Sequence, residues 1–504
     1  MANKIKKSVE QISLDDLKRF LWGAAVRLRG QIDASGYKEY IFPLLFFKRI
    51  CDVFDEQYET FVSEGGEEYA KLQLSEMPIQ IPEGSHWNDV RESTVDVGRR
   101  LRDAFIAIEQ AIPGKAEDGR VIGGLTGIFG AKDIWTNKEK MPDHIITSMI
   151  EDFSKYTLSL RACPADEMGL GYEYLIGQFA TDAGNTAQEF YTNRTVVTLM
   201  AEILQPKPDE TIYDPTCGSG GMLVKCLNYL QDKGEEWRGV KLFGQEVNVL
   251  TASIARMNLY LNGVEDFSIA CNDTLKYPEY LDGSQLRKFD VVLANPPYSI
   301  KNWDREAFAS DKWGRNFLGV PPQGRADYAF IQHILASMDP QTGRCAILLP
   351  HGVLFREDER EIRKALIEKD LIEAVIGLGP NLFFNASMEA CILICRSKKD
   401  YKLKNKIIFI NAVNEVTRKN AESFLEPVHI EKIISAYKKK SDVEGFCKLV
   451  TISDIKQRNF ILSIPLYINL RQKSNVPTFN NALNSWNNIH NKLIEELNNF
   501  KELL

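Results

Sequence analysis

Thr211-Ile212-Tyr213-Asp214-Pro215-Thr216-Cys217-Gly218-Ser219-Gly220-Gly221-Met222-Leu223 reads as a strand, a glycine turn and the opening of a helix. Three glycines in four positions remove β-carbons, so backbone can approach a ligand closely. The free N–H groups at the helix start suit a polar or anionic group. The spacing is not Gly-x-Gly-x-x-Gly, because position 223 is Leu, and no Gly-Lys-Ser/Thr follows. Asp214 at the strand end suits a cationic or hydroxyl-bearing ligand better than a triphosphate.

Further apolar, β-branched runs alternate with helical segments on either side. Strands are expected at Lys241–Gly244, Phe267–Ala270, Phe289–Ala294, Arg344–Leu349, Leu371–Ile376 and Ala390–Cys395. Near-continuous apolar strands separated by helices predict an α/β fold with a mostly parallel sheet covered on both faces. Such sheets bind ligands outside the carboxyl ends of their strands. Glu246 follows the second strand, where a carboxylate can accept both hydroxyls of a ribose. Cys271-Asn272-Asp273 closes the third, placing Asn272 or Asp273 within reach of an adenine amine. Three consecutive strands ending in such groups are unlike a chance set of loop carboxylates.

The fourth strand runs into Asn295-Pro296-Pro297-Tyr298. Two prolines fix the backbone and withhold two donors. The Asn side-chain oxygen and a proline carbonyl can then face one point, which suits a planar –NH₂ group with two hydrogens to donate. Accepting both draws the nitrogen lone pair out of conjugation and makes it a better nucleophile. Tyr298 offers an aromatic face for a flat base or amide. Asn-Pro is also a common turn start, but its place after the glycine turn and the acids favours chemistry.

The front of the chain reads as mostly helical. Ser13-Leu14-Asp15-Asp16 is a helix start, with a capping hydroxyl and acids at the positive end of the dipole. Tyr40 to Phe54, Val95 to Ile112 and Pro142 to Phe153 continue the helical pattern, while Gly65 to Glu92 reads as loop-rich. Asn480 to Leu504 places Leu483, Trp486, Ile489, Leu493, Leu497 and Leu503 on an amphipathic helix, either docked on its own domain or offered to a partner. The expected domains are a helical 1–165, an α/β 166–405 and a C-terminal region 406–504 with the terminal helix.

The 504 residues are 44% hydrophobic and 26% charged, which excludes a wholly disordered chain and a small disulfide scaffold. The net charge of -7 excludes a uniformly basic coat without excluding a local basic groove. Nine scattered cysteines without a Cys-x-x-Cys pair read as reduced, packed thiols of a cytoplasmic protein, and no metal site is expected. No run is long and apolar enough to span a membrane, and Met1 to Glu10 lacks an apolar core behind its basic residues.

The ordered set resembles the S-adenosylmethionine-dependent amino-methyltransferases. With the glycine turn ahead of Asn295-Pro-Pro-Tyr298, it is similar to the gamma arrangement of DNA adenine methyltransferases. More narrowly, the chain resembles the modification subunit of type I restriction–modification systems. Glu189-Phe190-Tyr191-Thr192, Asp214 to Gly221, Gly244 to Asn248, Ala255-Arg256-Met257-Asn258, Asn295 to Ser299, Gly324 to Phe330 and Pro380 to Phe384 carry the resemblance over essentially the whole chain.

The resemblance implies a Rossmann-like methyltransferase core. It implies that Glu189, Phe190, Tyr191, Thr192, Asn193 and Arg194 contact the methionine half of S-adenosylmethionine. Asp214, Gly218, Ser219 and Gly220 would line its amino-acid and sugar region, Glu246 its ribose, and Asn272 and Asp273 its adenine. Asn295, Pro296, Pro297 and Tyr298 would hold the target adenine of DNA. Asn193 departs from the family's proline, which suits a helix's first turn, and is expected to loosen that start slightly. The resemblance also implies double-stranded DNA, a specificity subunit flanked by two copies of this chain, and a restriction subunit as partners. The rival readings are a stand-alone DNA adenine methyltransferase and a protein glutamine amide methyltransferase, which is usually much shorter. Cytosine C5 methylation is disfavoured, because no Pro-Cys pair follows the glycine turn.

Overall fold

Nine strands build one sheet in the computed structural model, which describes residues 11–502 apart from 29–30, 33–35, 77–78, 118–119, 183–192, 265, 383–388, 420–421 and 469–478. They are β1 (Thr211–Asp214), β2 (Lys241–Glu246), β3 (Phe267–Cys271), β4 (Val291–Ala294), β5 (Arg344–Pro350), β6 (Ile372–Leu378), β7 (Ala390–Arg396), β8 (Lys406–Ala412) and β9 (Cys447–Thr451). Their order across the sheet is β3-β2-β1-β4-β5-β7-β6-β8-β9. The pairs from β3 through β5 are parallel, as is β6 with β8; β7 runs antiparallel to both its neighbours and β9 to β8. Every residue of β4 and β5 is buried, as expected where helices cover both faces.

The expected strands all form. The chain exits β1 toward β2 and β3, then crosses back so that β4 lies on β1's other side. That reversal opens a crevice at the carboxyl ends of β1 and β4. The sheet runs through the boundary expected at residue 405: β8 and β9 extend it, because Ile407, Ile408, Phe409 and Ile410 need a buried face on each side.

The N-terminal helices Leu14–Val26, Lys38–Gly65, Val97–Ala111 and Asp143–Phe153 share one apolar core with a face of the sheet. Ser13 Oγ accepts the Asp16 N–H at 3.1 Å, as its position implies. Buried Arg49 ties this region to its exit segment, donating to the carbonyls of Ser159 (2.8 Å) and Cys163 (2.5 Å). The Gly123 N–H donates to Phe267 O at 2.8 Å, which attaches the helical region to β3. One expectation is corrected here. Gly65 to Glu92 holds a helix over Glu67–Ser75 and a short one over Trp87–Arg91, which His86 and Asp89 close with a capping box. All nine cysteines are free thiols and eight are buried.

The terminal helix covers Phe479–Glu502. Between Leu483 and Ile494 its apolar stripe is uncovered: Trp486 is 59% exposed and Ile489 71%.

Candidate active site

The glycine turn sits between β1 and the helix Gly221–Asp232. Gly218 (φ 53°) and Gly220 (φ 79°) both take the left-handed conformation that other residues resist. A side chain at Gly220 would also press on Ala255, whose Cβ lies 3.3 Å from where a Cβ would stand. Glu246, at the end of β2, holds the turn from the side: Oε2 accepts the Gly218 N–H at 3.1 Å and Oε1 the Asn248 N–H at 2.9 Å. Asn258, from the helix Val249–Leu261, holds it from below by donating to Ser219 O at 2.9 Å. Asn258 belonged to a motif of the resemblance, but its role emerges only from this contact.

Asp214 is buried beneath the turn, where its Oδ1 accepts the Thr216 N–H at 2.9 Å. Burial pushes its carboxyl up to about 7; the Thr216 bond opposes the shift and the Glu246 charge adds to it. Burial also raises Glu246, against the hydrogen bonds from Asn248 and Gly218. Two carboxyls this reluctant to ionise suit a ligand that brings a positive charge and hydroxyl donors.

The loop after β3 is more structural than its composition suggested. Asn272 donates to Glu279 Oε1 at 2.7 Å, and Asp273 Oδ1 accepts the N–H groups of Leu275 (2.8 Å) and Lys276 (3.1 Å). Gln245, buried in β2, fastens this loop by donating to Tyr277 O at 2.8 Å and Asn272 O at 3.2 Å. Gln245 belonged to a motif of the resemblance, but this fastening role emerges only from these contacts.

Asn295-Pro296-Pro297-Tyr298 leaves β4 directly beside the exit of β1, since Ile212 and Tyr213 pair with Val291 and Val292. Burial drives the Tyr298 phenol well above its ordinary value, so it stays neutral. The chain then turns at Ser299 in the left-handed region (φ 52°).

Of the residues expected at the site, Asp214, Gly218, Ser219, Gly220, Glu246, Asn272, Asp273 and Asn295 to Tyr298 thus lie at or just after the carboxyl ends of four contiguous strands. Glu189, Phe190, Tyr191 and Thr192 lie outside the described residues, as do Phe383 and Phe384. Asn193 does not loosen the helix Arg194–Leu204. Its Oδ1 accepts the Thr195 N–H at 3.0 Å as the N-cap, and its amide donates to Ser423 O at 2.8 Å. A side-chain acceptor satisfies a helix-start N–H that proline would leave without one. Arg194 is the first, half-buried residue of that helix.

Comparison with known proteins agrees with this architecture. The family model described as N-6 DNA Methylase matches residues 164–475, and that of the HsdM N-terminal domain residues 17–153. The type I restriction enzyme MpnII methylase subunit of Mycoplasma pneumoniae is 30% identical, covering 92% of this chain and 91% of its own length. The MjaVII methylase subunit of Methanocaldococcus jannaschii is 31% identical, covering 92% and 79% respectively. Among solved structures, a type I restriction–modification methyltransferase subunit from Streptococcus thermophilus superposes with a TM-score of 0.70 at 30% identity, covering 91% of this chain and 100% of that one.

Proposed function

The chain belongs to the N-6 DNA methylase family as a modification subunit of a type I restriction–modification system, and on that premise we propose how its residues divide the work. It transfers a methyl group from S-adenosylmethionine to the N6 amine of adenine in DNA. The observation that carries the assignment of roles is the juxtaposition, on adjacent strands β1 and β4, of the Glu246-tied glycine turn and Asn295-Pro-Pro-Tyr298.

The cofactor, when bound, supplies an electrophilic methyl group on a sulfonium. Glu246 accepts its ribose hydroxyls, Asp214 and the turn from Gly218 to Gly220 line its amino-acid and sugar part, and Asn272 and Asp273 border its adenine. Residues 189–194 would contact its methionine half. The target adenine leaves the duplex, because an amine inside the base stack cannot enter a pocket at a strand end. Asn295 Oδ1 and a proline carbonyl accept the two amine hydrogens, which leaves the nitrogen lone pair free to attack. The Tyr298 ring stacks on the base, a contact worth ~1–3 kcal/mol.

Partners are double-stranded DNA, a specificity subunit and a restriction subunit, with two copies of this chain flanking one specificity subunit. At a net charge of -7 the chain supplies few phosphate contacts of its own. Sequence reading needs a dedicated element that presents side chains to base edges, and the family assignment gives that role to the specificity subunit. The uncovered stripe of Phe479–Glu502 is the surface offered to that subunit. No helix among the described residues is long and apolar enough to cross a membrane. A restriction–modification role on cellular DNA supports a cytoplasmic location.

Tritiated methyl transfer by the complex with the specificity subunit tests the assignment. Asn295→Ala is expected to abolish transfer while cofactor affinity, measured by calorimetry, stays near wild type. Methylation at the wild-type rate would overturn the role of the motif.

A further inference from the structure

We infer that Asp327 is a positioning residue for the target-base turn, locked in place by Arg356; this rests on the assignment of Asn295 to Tyr298 above. Asp327 opens the helix Asp327–Ser337 and is only 1% exposed. Its Oδ1 accepts the Ser299 N–H at 2.9 Å, and its Oδ2 lies 3.4 Å from Ser299 Oγ. Ser299 directly follows Tyr298 and holds φ at 52°, a conformation that a non-glycine residue keeps only when its surroundings impose it. A carboxylate bound to the backbone N–H is a charge-assisted bond and supplies that constraint.

The carboxylate is itself fixed. Arg356 Nη1 donates to Asp327 Oδ2 at 2.7 Å, and Nη2 lies 3.4 Å from Ser299 Oγ. Room for the guanidinium comes from Gly352, where a Cβ would stand 2.3 Å from Arg356 Nε. Buried Arg363 pins Arg356 from behind, donating to its carbonyl at 2.9 Å and to Phe460 O at 2.8 Å. The line Arg363–Arg356–Asp327–Ser299 thus runs from the core to the residue after Tyr298. None of its members ends a strand at the cofactor side, so its function is to hold the turn and not the cofactor.

Geometry is what this line contributes, and misplacing a reacting group by about 1 Å can cost ~100-fold in rate. The test uses the full chain in complex with its specificity subunit, at saturating DNA. Asp327→Ala should lower kcat at least tenfold while the KM for S-adenosylmethionine changes less than twofold. Ser299→Gly added to Asp327→Ala should recover the rate several-fold, because glycine takes a positive φ without help. Arg356→Lys should retain more activity than Arg356→Ala. An unchanged kcat, an equal loss of cofactor affinity, or no recovery from Ser299→Gly would overturn the inference. If Asp327→Ala does not assemble, Arg356→Ala decides alone: a lowered kcat with unchanged cofactor KM supports it, and a wild-type kcat overturns it. Asn295→Ala run in parallel separates the two claims. Activity surviving in Asn295→Ala defeats the underlying assignment, whereas its loss with a wild-type rate in Asp327→Ala defeats only the positioning role.

Discussion

Asp214 is buried and Glu246 half-buried beside the same glycine turn, and desolvation disfavours the charged form of each. Asp214 is raised from 3.8 to about 7. Its contribution to the stability of the ligand-free protein is therefore fully present below 3.8 and is lost as pH rises through about 7. A cationic ligand reverses the preference, since it favours the carboxylate. Cofactor affinity is expected to fall as pH drops below about 7, and binding near pH 6.5 should release protons. Calorimetry in two buffers of different ionisation enthalpy checks both; equal heats in the two buffers would remove Asp214 from the linkage. Glu246→Ala deletes the acceptor pair and should weaken cofactor binding by roughly 1.5–3 kcal/mol, the range for hydrogen bonds to a charged group. Unchanged affinity in that variant would sink the ribose role.

At the scale of elements, the start of the helix Arg194–Leu204 shows how a substitution expected to loosen a turn can anchor it instead. Asn193 caps the helix and reaches Ser423 in a hairpin formed by Thr417–Lys419 and Glu422–Phe424. The Leu425 N–H in turn donates to Thr195 Oγ1 at 2.9 Å. A segment 230 residues away thereby braces the helix that follows the glutamate-phenylalanine-tyrosine motif. Asn193→Ala should cost ~0.5–2 kcal/mol of stability, the range for a lost N-cap, read as a lower denaturant midpoint with an unchanged slope. A midpoint equal to wild type would show that neither bond matters. The same paired logic explains Gln245 and Asn258. Both are polar residues buried in regular elements; Gln245 satisfies two carbonyls and Asn258 one in loops that the site needs held still.

At the scale of the whole molecule, the uncovered stripe on Phe479–Glu502 is the feature that folding of this chain leaves unfinished. Removing residues 479–504 should leave thermal unfolding of the remainder nearly unchanged and abolish capture by the specificity subunit; a truncated chain that still assembles would refute the docking role. Sequence-specific methylation by the isolated chain would refute the placement of recognition in another subunit. The apolar runs at β1 through β7 were legible in the primary structure because a doubly covered sheet needs residues such as Ile347, Leu348 and Leu349 without alternation. The strand-end residues were legible for a related reason: glycine, acid and Asn-Pro-Pro-Tyr each have local backbone or side-chain chemistry that does not depend on distant partners. An apolar run reads the same in either direction, so only the folded sheet decided that β7 runs antiparallel between β5 and β6, and that β8 and β9 extend the edge. Gln245, Asn258 and Asp327 lie in motifs of the resemblance, but their supporting contacts, and those of Arg356, were decided by the tertiary structure. A buried polar side chain takes its meaning from the groups that satisfy it, and for these four those groups lie across the fold.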